Sequence, residues 1–144
     1  MLTNHNAPTA QVAEPRIMVA LRVFAVFACL SAGLSIGVSA VAAHGATLTP
    51  QEAQSLAWAL DLQRLHALGL LVLVLLARQL ALNKWAVAAG ALFMTGTLLF
   101  SFNIQARLLL GIELARPLIP YGGMAFMAGW LALAVGVGRG THHD

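Results

Sequence analysis

A chain of 144 residues with 60% hydrophobic and 9% charged residues, and a mean hydropathy of +0.82, is too apolar for a water-soluble domain. Eight basic residues against five acidic ones raise the pI to about 10.0. They are scattered singly, with no basic stripe and no interleaved aromatics, which excludes nucleic acid as a partner and leaves the lipid bilayer as the solvent of one domain.

Residues 1–16 form a polar tail of Asn, Thr, Gln, Pro and Ala without periodicity, expected to be disordered. The first span follows over 23–43, about 20 residues without a charge, enough to cross a hydrocarbon core of roughly 30 Å. Arg16 and Arg22 ahead of it, with the small residues of 38–43, also fit a signal peptide cleaved before His44. The run is longer than a usual signal core and is read as a span. Within it, Gly33 and Gly37 repeat at a four-residue interval, as do Ser31, Ser35, Ser39 and Ala43. Such spacing lets helix backbones approach closely in lipid. Cys29 is the single cysteine; it is read as an apolar filler, and alone it forms no intramolecular disulfide.

The first outer loop carries a helix start. Thr49 suits the N-cap, Pro50 the first helical position and Glu52 the far side of a capping box. The short helix that follows places Ala53, Leu56, Ala57 and Leu60 on one face, with Gln54, Asp61 and Arg64 off it. It is expected to lie in the membrane interface, anchored by Trp58, before turning into the second span. That span, 65–82, reaches crossing length if Arg78 snorkels to the head groups. Asn83-Lys84-Trp85 reads as a tight cytoplasmic turn. The third span, 85–104, sets Ala86, Gly90, Thr97 and Ser101 along one stripe. Residues 105–117 read as a second outer loop, and Pro117 and Pro120 bracket the start of the fourth span, 118–138. There Ala128, Ala132, Gly136 and Gly140 make another close-contact edge. Residues 140–144 are a short solvated tail.

The fold class is therefore all-α: a four-transmembrane-helix bundle with a short interfacial helix in its first outer loop. Arg16, Arg22, Arg78, Lys84 and Arg139 fall on one side of it, against Arg64, Arg107 and Arg116 on the other. That asymmetry places both termini in the cytoplasm, with a bacterial inner membrane as the expected location.

The ionisable residues give one pattern. His44, Asp61, Arg64, His66, Arg107, Glu113 and Arg116 all fall at span ends near the non-cytoplasmic face, so they form a candidate polar cluster. Asp61 and Arg64 are three apart on a helix, as are Glu113 and Arg116, and each pair can meet. The bland reading is that span ends collect polar residues. The sharper one is a shallow pocket in which His44 and His66 bind a metal or haem or shuttle protons. Two histidines without a Cys or carboxylate set are a thin metal signal, so no metal or cofactor is assigned. The chain carries no nucleophile elbow, phosphate-binding loop, dinucleotide fingerprint, zinc-protease helix or Cys pair, which gives catalysis little to stand on. The three long spans also lack a carboxylate or Arg at mid-membrane, the usual mark of an ion path.

Several phrases resemble the YgdD / transmembrane protein 256 family of small membrane proteins, grouped as domain of unknown function 423. They are His44-Gly45 after the first helix, His66-Ala67 in the second, and Gly90, Gly96, Phe100 and Ser101 in the third. The most specific is Pro120, Gly122, Gly123, Phe126, Gly129 and Trp130 in the fourth. The likeness covers about residues 30–138. Ala42 and Phe100-Ser-Phe-Asn-Ile-Gln105 depart from the family pattern, the latter lacking its Tyr. The resemblance implies a four-helix membrane protein and carries no activity with it. The leading functional expectation is a non-enzymatic membrane component acting through helix–helix contacts, with a homo-oligomer or another membrane protein as partner. An oligomeric transporter or channel for a small solute or ion, and a His-ligated haem or metal protein, are the alternatives.

Overall fold

The computed structural model describes residues 15–80, 83–114 and 116–140, and it is helical. Of the expected tails 1–16 and 140–144, residues 1–14 and 141–144 lie outside the described residues, whereas Pro15 and Arg16 already belong to the first helix and Gly140 ends the last. Helix α1 runs Pro15–His44 and α2 Pro50–Gln79. Helix α3, Asn83–Gly96, passes through a π-helical segment, Thr97–Phe102, into α4, Asn103–Leu110. A 3-10 turn, Arg116–Leu118, opens α5, Ile119–Gly140. Four rods are long and apolar enough to cross a membrane: α1, α2, the continuous Lys84–Leu110 rod and Arg116–Arg139.

Local chemistry explains most boundaries. The capping box at Thr49 forms, with Glu52 N–H donating to Thr49 Oγ1 at 3.3 Å and Thr49 N–H donating to the Glu52 carboxylate at 2.9 Å. Two orphan donors of the helix start are thereby satisfied. Once started, α2 does not stop. The expected interfacial segment and second span are one uninterrupted helix, because nothing between Gln51 and Gln79 breaks the ladder.

Two other expectations shift. Asn83 and Trp85 open α3 instead of forming the turn. The second outer loop begins at Gly111, not at residue 105. Gly111 adopts φ 68°, the left-handed C-cap that glycine tolerates, and its N–H donates to the Ala106 carbonyl.

Apolar burial organises the bundle unevenly. Half of the α2 span window is buried against 22% for each of the α1 and α5 spans, so α1 and α5 show the most surface to lipid. The shared core joins Leu21, Phe24, Leu70, Leu73, Phe93 and Leu133. Hydrophobic burial drives little association in a bilayer, so close contact must come from shape. Glycines supply it. A Cβ on Gly129 would come within 2.6 Å of the Phe93 ring, and one on Gly122 within 2.7 Å of the Phe100 backbone nitrogen. Added Cβ atoms on Gly90 and Gly96 would run into the rings of Phe24 and Phe126. Aromatic knobs thus seat on glycine holes between α1 and α3 and between α3 and α5, which form the most extensive helix pair.

Candidate functional site

Polar side chains in this bundle gather in one half of its length, and α2 presents them. Continuing the stripe Leu56–Leu60 by three or four residues passes through Gln63, Ala67, Leu70 and Val74, all buried. Gln63 is thus a polar residue on the core face. Its Nε2 donates to the Ser31 carbonyl of α1 at 2.8 Å, and its Oε1 accepts from Nε2 of Gln105 on α4. Three helices are tied by one amide relay. The hydroxyls of Ser31 and Ser101 are buried and have no partner among the described residues.

One residue further, Arg64 turns toward α1. Its Nε donates to Ser35 Oγ at 3.3 Å, one terminal nitrogen donates to Ser39 Oγ, and the other pairs with Asp61 Oδ1 at 3.2 Å. The Arg64 side chain is 41% exposed and that of Asp61 71%. The two sit on an open cleft of about 370 Å³ between the C-terminal half of α1 and the N-terminal half of α2, walled by Ala42, Leu48, Ala53, Leu56 and Leu60.

His66 belongs to a different environment. It is 2% exposed and stacks on Phe126, with ring centroids 3.6 Å apart and planes at 12°. Phe93 and Trp130 complete the box, at 5.2 and 6.0 Å. Its Nδ1 lies 2.7 Å from the Leu62 carbonyl, and its Nε2 lies 3.1 Å from Trp130 Nε1. Indole N–H only donates, so Nε2 is the acceptor and the proton sits on Nδ1. The ring is therefore the neutral Nδ1–H tautomer, and both nitrogens are engaged.

The seven residues of the expected cluster do not converge. Asp61 and Arg64 meet. His44 is exposed at the end of α1, whereas His66 packs beyond Gln63, which is level with Ser31. Thirteen residues of helix separate Ser31 from His44, about 20 Å at 1.5 Å per residue, so the two histidines do not share a site. Glu113 and Arg116 are exposed and unpaired with each other; Arg64–Asp61 is the one ion pair among the described residues. Arg107 is half-buried on α4, its Nε without a partner among the described residues. No group of three metal-ligating side chains exists among the described residues.

The small-residue stripes also divide. Ser35 and Ser39 face α2, as their hydrogen bonds with Arg64 show, and Ser31 is buried with its carbonyl accepting from Gln63 of that helix. Gly33 and Gly37, two residues on and so about 200° around the helix, face outward, where an added Cβ would meet nothing within 4 Å. On the α5 edge Gly136 is buried, but Ala128 is exposed.

Comparison with known proteins agrees with this architecture. The family model described as "Protein of unknown function (DUF423)" matches residues 38–123. The UPF0382 membrane protein SERP0230 of Staphylococcus epidermidis is 31% identical over 121 residues, 80% of this chain and 94% of that protein. The UPF0382 membrane protein YwdK of Bacillus subtilis is 30% identical over 117 residues, covering 80% and 95% of the two chains. The UPF0382 inner membrane protein YgdD of Escherichia coli is 30% identical over 130 residues, covering 85% and 98%. No solved structure matches the chain. With four membrane-spanning rods and this match over most of its length, the chain belongs to the DUF423 family of membrane proteins.

Proposed function

We propose that this protein is a non-enzymatic component of a bacterial inner membrane that works by lateral contact, with the outer face of α1 as its contact surface. The observation that carries this reading is Gly33 and Gly37 on the side of α1 turned away from the bundle, with open space over both. Two glycines four apart let a second helix approach closely, and nothing among the described residues packs on them. Cys29 lies four residues before Gly33 on the same stripe and is exposed. The partner is a second copy or another membrane protein. Both termini are cytoplasmic on this reading, which the distribution of Arg and Lys supports. The relative in Escherichia coli, an inner membrane protein by name, supports the location.

Transport by an oligomer is the second reading, favoured by the buried amides and hydroxyls around Gln63. Against a path through a single chain stands the other half of the bundle, packed with Leu21, Phe24, Leu70, Leu73, Phe93 and Leu133. A conducting route would have to run between copies. The haem or metal reading has no support, since His44 lies far from His66 and both His66 nitrogens are engaged.

Co-purification from mild detergent tests the first reading. The native chain should bring down its partner or a differently tagged copy, and the Gly33→Leu, Gly37→Leu double variant should lose it while keeping its helical content. Unchanged association of the double variant would refute the assignment of this face.

A further inference from the structure

We propose that the cleft between α1 and α2 binds one anionic membrane lipid, with its phosphate on Arg64 and its hydrocarbon along the Ala and Leu walls. The depth of Arg64 is the starting point. Its partners Ser39 and Ser35 lie five and nine residues before the end of α1, roughly 8–14 Å down the helix from His44. A guanidinium at that depth is costly unless something answers its charge. Within the fold the answer is thin. Ser35 and Ser39 contribute neutral acceptors, and the single counter-charge, Asp61, is 71% exposed.

The geometry sorts the guanidinium's two ends. Nε and one terminal nitrogen are held by α1, which fixes the plane of the fork. The other terminal nitrogen pairs with Asp61, and both residues line the open cleft. The N–H groups of that one nitrogen, held in a fixed plane and carrying charge, suit a phosphate oxygen. Asp61 holds that place by one 3.2 Å contact from a largely solvated side chain, and an exposed pair of this kind is weak enough to be displaced.

The lining suits an amphiphile. Its polar side chains are Ser39, Asp61 and Arg64, and beside them Ala42, Leu48 and Ala57 offer no hydrogen bonds from their side chains, which favours a phosphate that carries hydrocarbon over a free ion. About 370 Å³ falls within the size range of organic-ligand pockets and is far more than one ion needs. The cleft requires no second copy and no contact at Gly33, so it stands apart from the lateral-contact reading.

Native mass spectrometry of the full chain, released from nanodiscs of mixed phosphatidylglycerol and phosphatidylcholine, tests the proposal. One phosphatidylglycerol should be retained per chain in preference to phosphatidylcholine. Arg64→Gln should weaken that retention at least about tenfold, the loss of a charge-assisted hydrogen bond. Asp61→Asn should strengthen it, because the competing carboxylate is gone. Ala57→Phe, which fills the cleft and leaves Arg64 in place, should abolish it, and circular dichroism confirms that each variant is folded. Equal retention of the two lipids, retention unaffected by Arg64→Gln or Ala57→Phe, or weaker retention in Asp61→Asn would overturn the site. Displacement of the lipid by millimolar inorganic phosphate would overturn the lipid as its occupant.

Discussion

Replacing His66 by Leu removes the acceptor for the Trp130 indole N–H, which lipid does not replace, and the size of the penalty follows from the geometry. The orphaned donor costs about 1–3 kcal/mol. Loss of the ring stacked 3.6 Å from Phe126 adds about 0.5–1.5 kcal/mol. Leu is close to His in size, so little cavity opens, and the Leu62 carbonyl keeps its place in the helix ladder. The single variant should therefore lose about 2–4 kcal/mol. Trp130→Phe leaves the His66 Nε2 lone pair unanswered and costs less, about 1–2 kcal/mol. In the double variant neither group is left unpaired, so the two losses should not add. The coupling between them should be about 1–1.5 kcal/mol, within the range measured for hydrogen bonds between membrane helices. Titration with SDS in mixed micelles, followed by far-UV circular dichroism, measures all four corners of this cycle. A cycle that closes to within about 0.3 kcal/mol, the ordinary limit of additivity, would refute the Trp130–His66 hydrogen bond.

Gly96→Ala should destabilise by about 1–3 kcal/mol in the same assay, because the new methyl meets the Phe126 ring in a packed core. Gly123→Ala, four residues into α5 with open space over it, should be neutral or gain up to about 1 kcal/mol of helix propensity. Gln63→Leu should cost about 1–3 kcal/mol by stranding the Gln105 amide. Adding Gln105→Leu should recover part of that loss, and a double variant worse than the sum would contradict the relay.

The apolar runs, the cap at Thr49, Pro120 at the start of the last helix and the glycine phrases made the four-helix membrane fold legible, because each rests on local chemistry or composition. The polar site was less legible, for a physical reason. Placing the second span at 65–82 put Asp61, Arg64 and His66 at its entrance. In the continuous helix Pro50–Gln79 they sit near the middle. Hydropathy finds where charge is scarce, not where a helix ends. Gln63 was visible in principle, as the one polar residue on the stripe running Leu56–Leu60–Ala67–Leu70, but a stripe read only as far as Leu60 stops short of it. The π-helical segment Thr97–Phe102 has no comparable signal. It swings Asn103, Ile104 and Gln105 into the bundle together, which a 3.6-residue period does not foresee. The Ser31–Ser35–Ser39 and Gly33–Gly37 repeats were both plain, yet spacing alone could not say that one faces α2 and the other faces outward.

Photo-crosslinking from Cys29 in native membranes tests the lateral-contact account most directly. The thiol is exposed on the Gly33–Gly37 stripe, so a benzophenone maleimide placed there reports what lies against that face. The account predicts one discrete protein adduct, lost when Gly33 and Gly37 are both replaced by Leu. A probe on α5, introduced as Leu131→Cys in a Cys29→Ala background, should give none. Adducts with lipid alone at Cys29, whatever stands at positions 33 and 37, would contradict it.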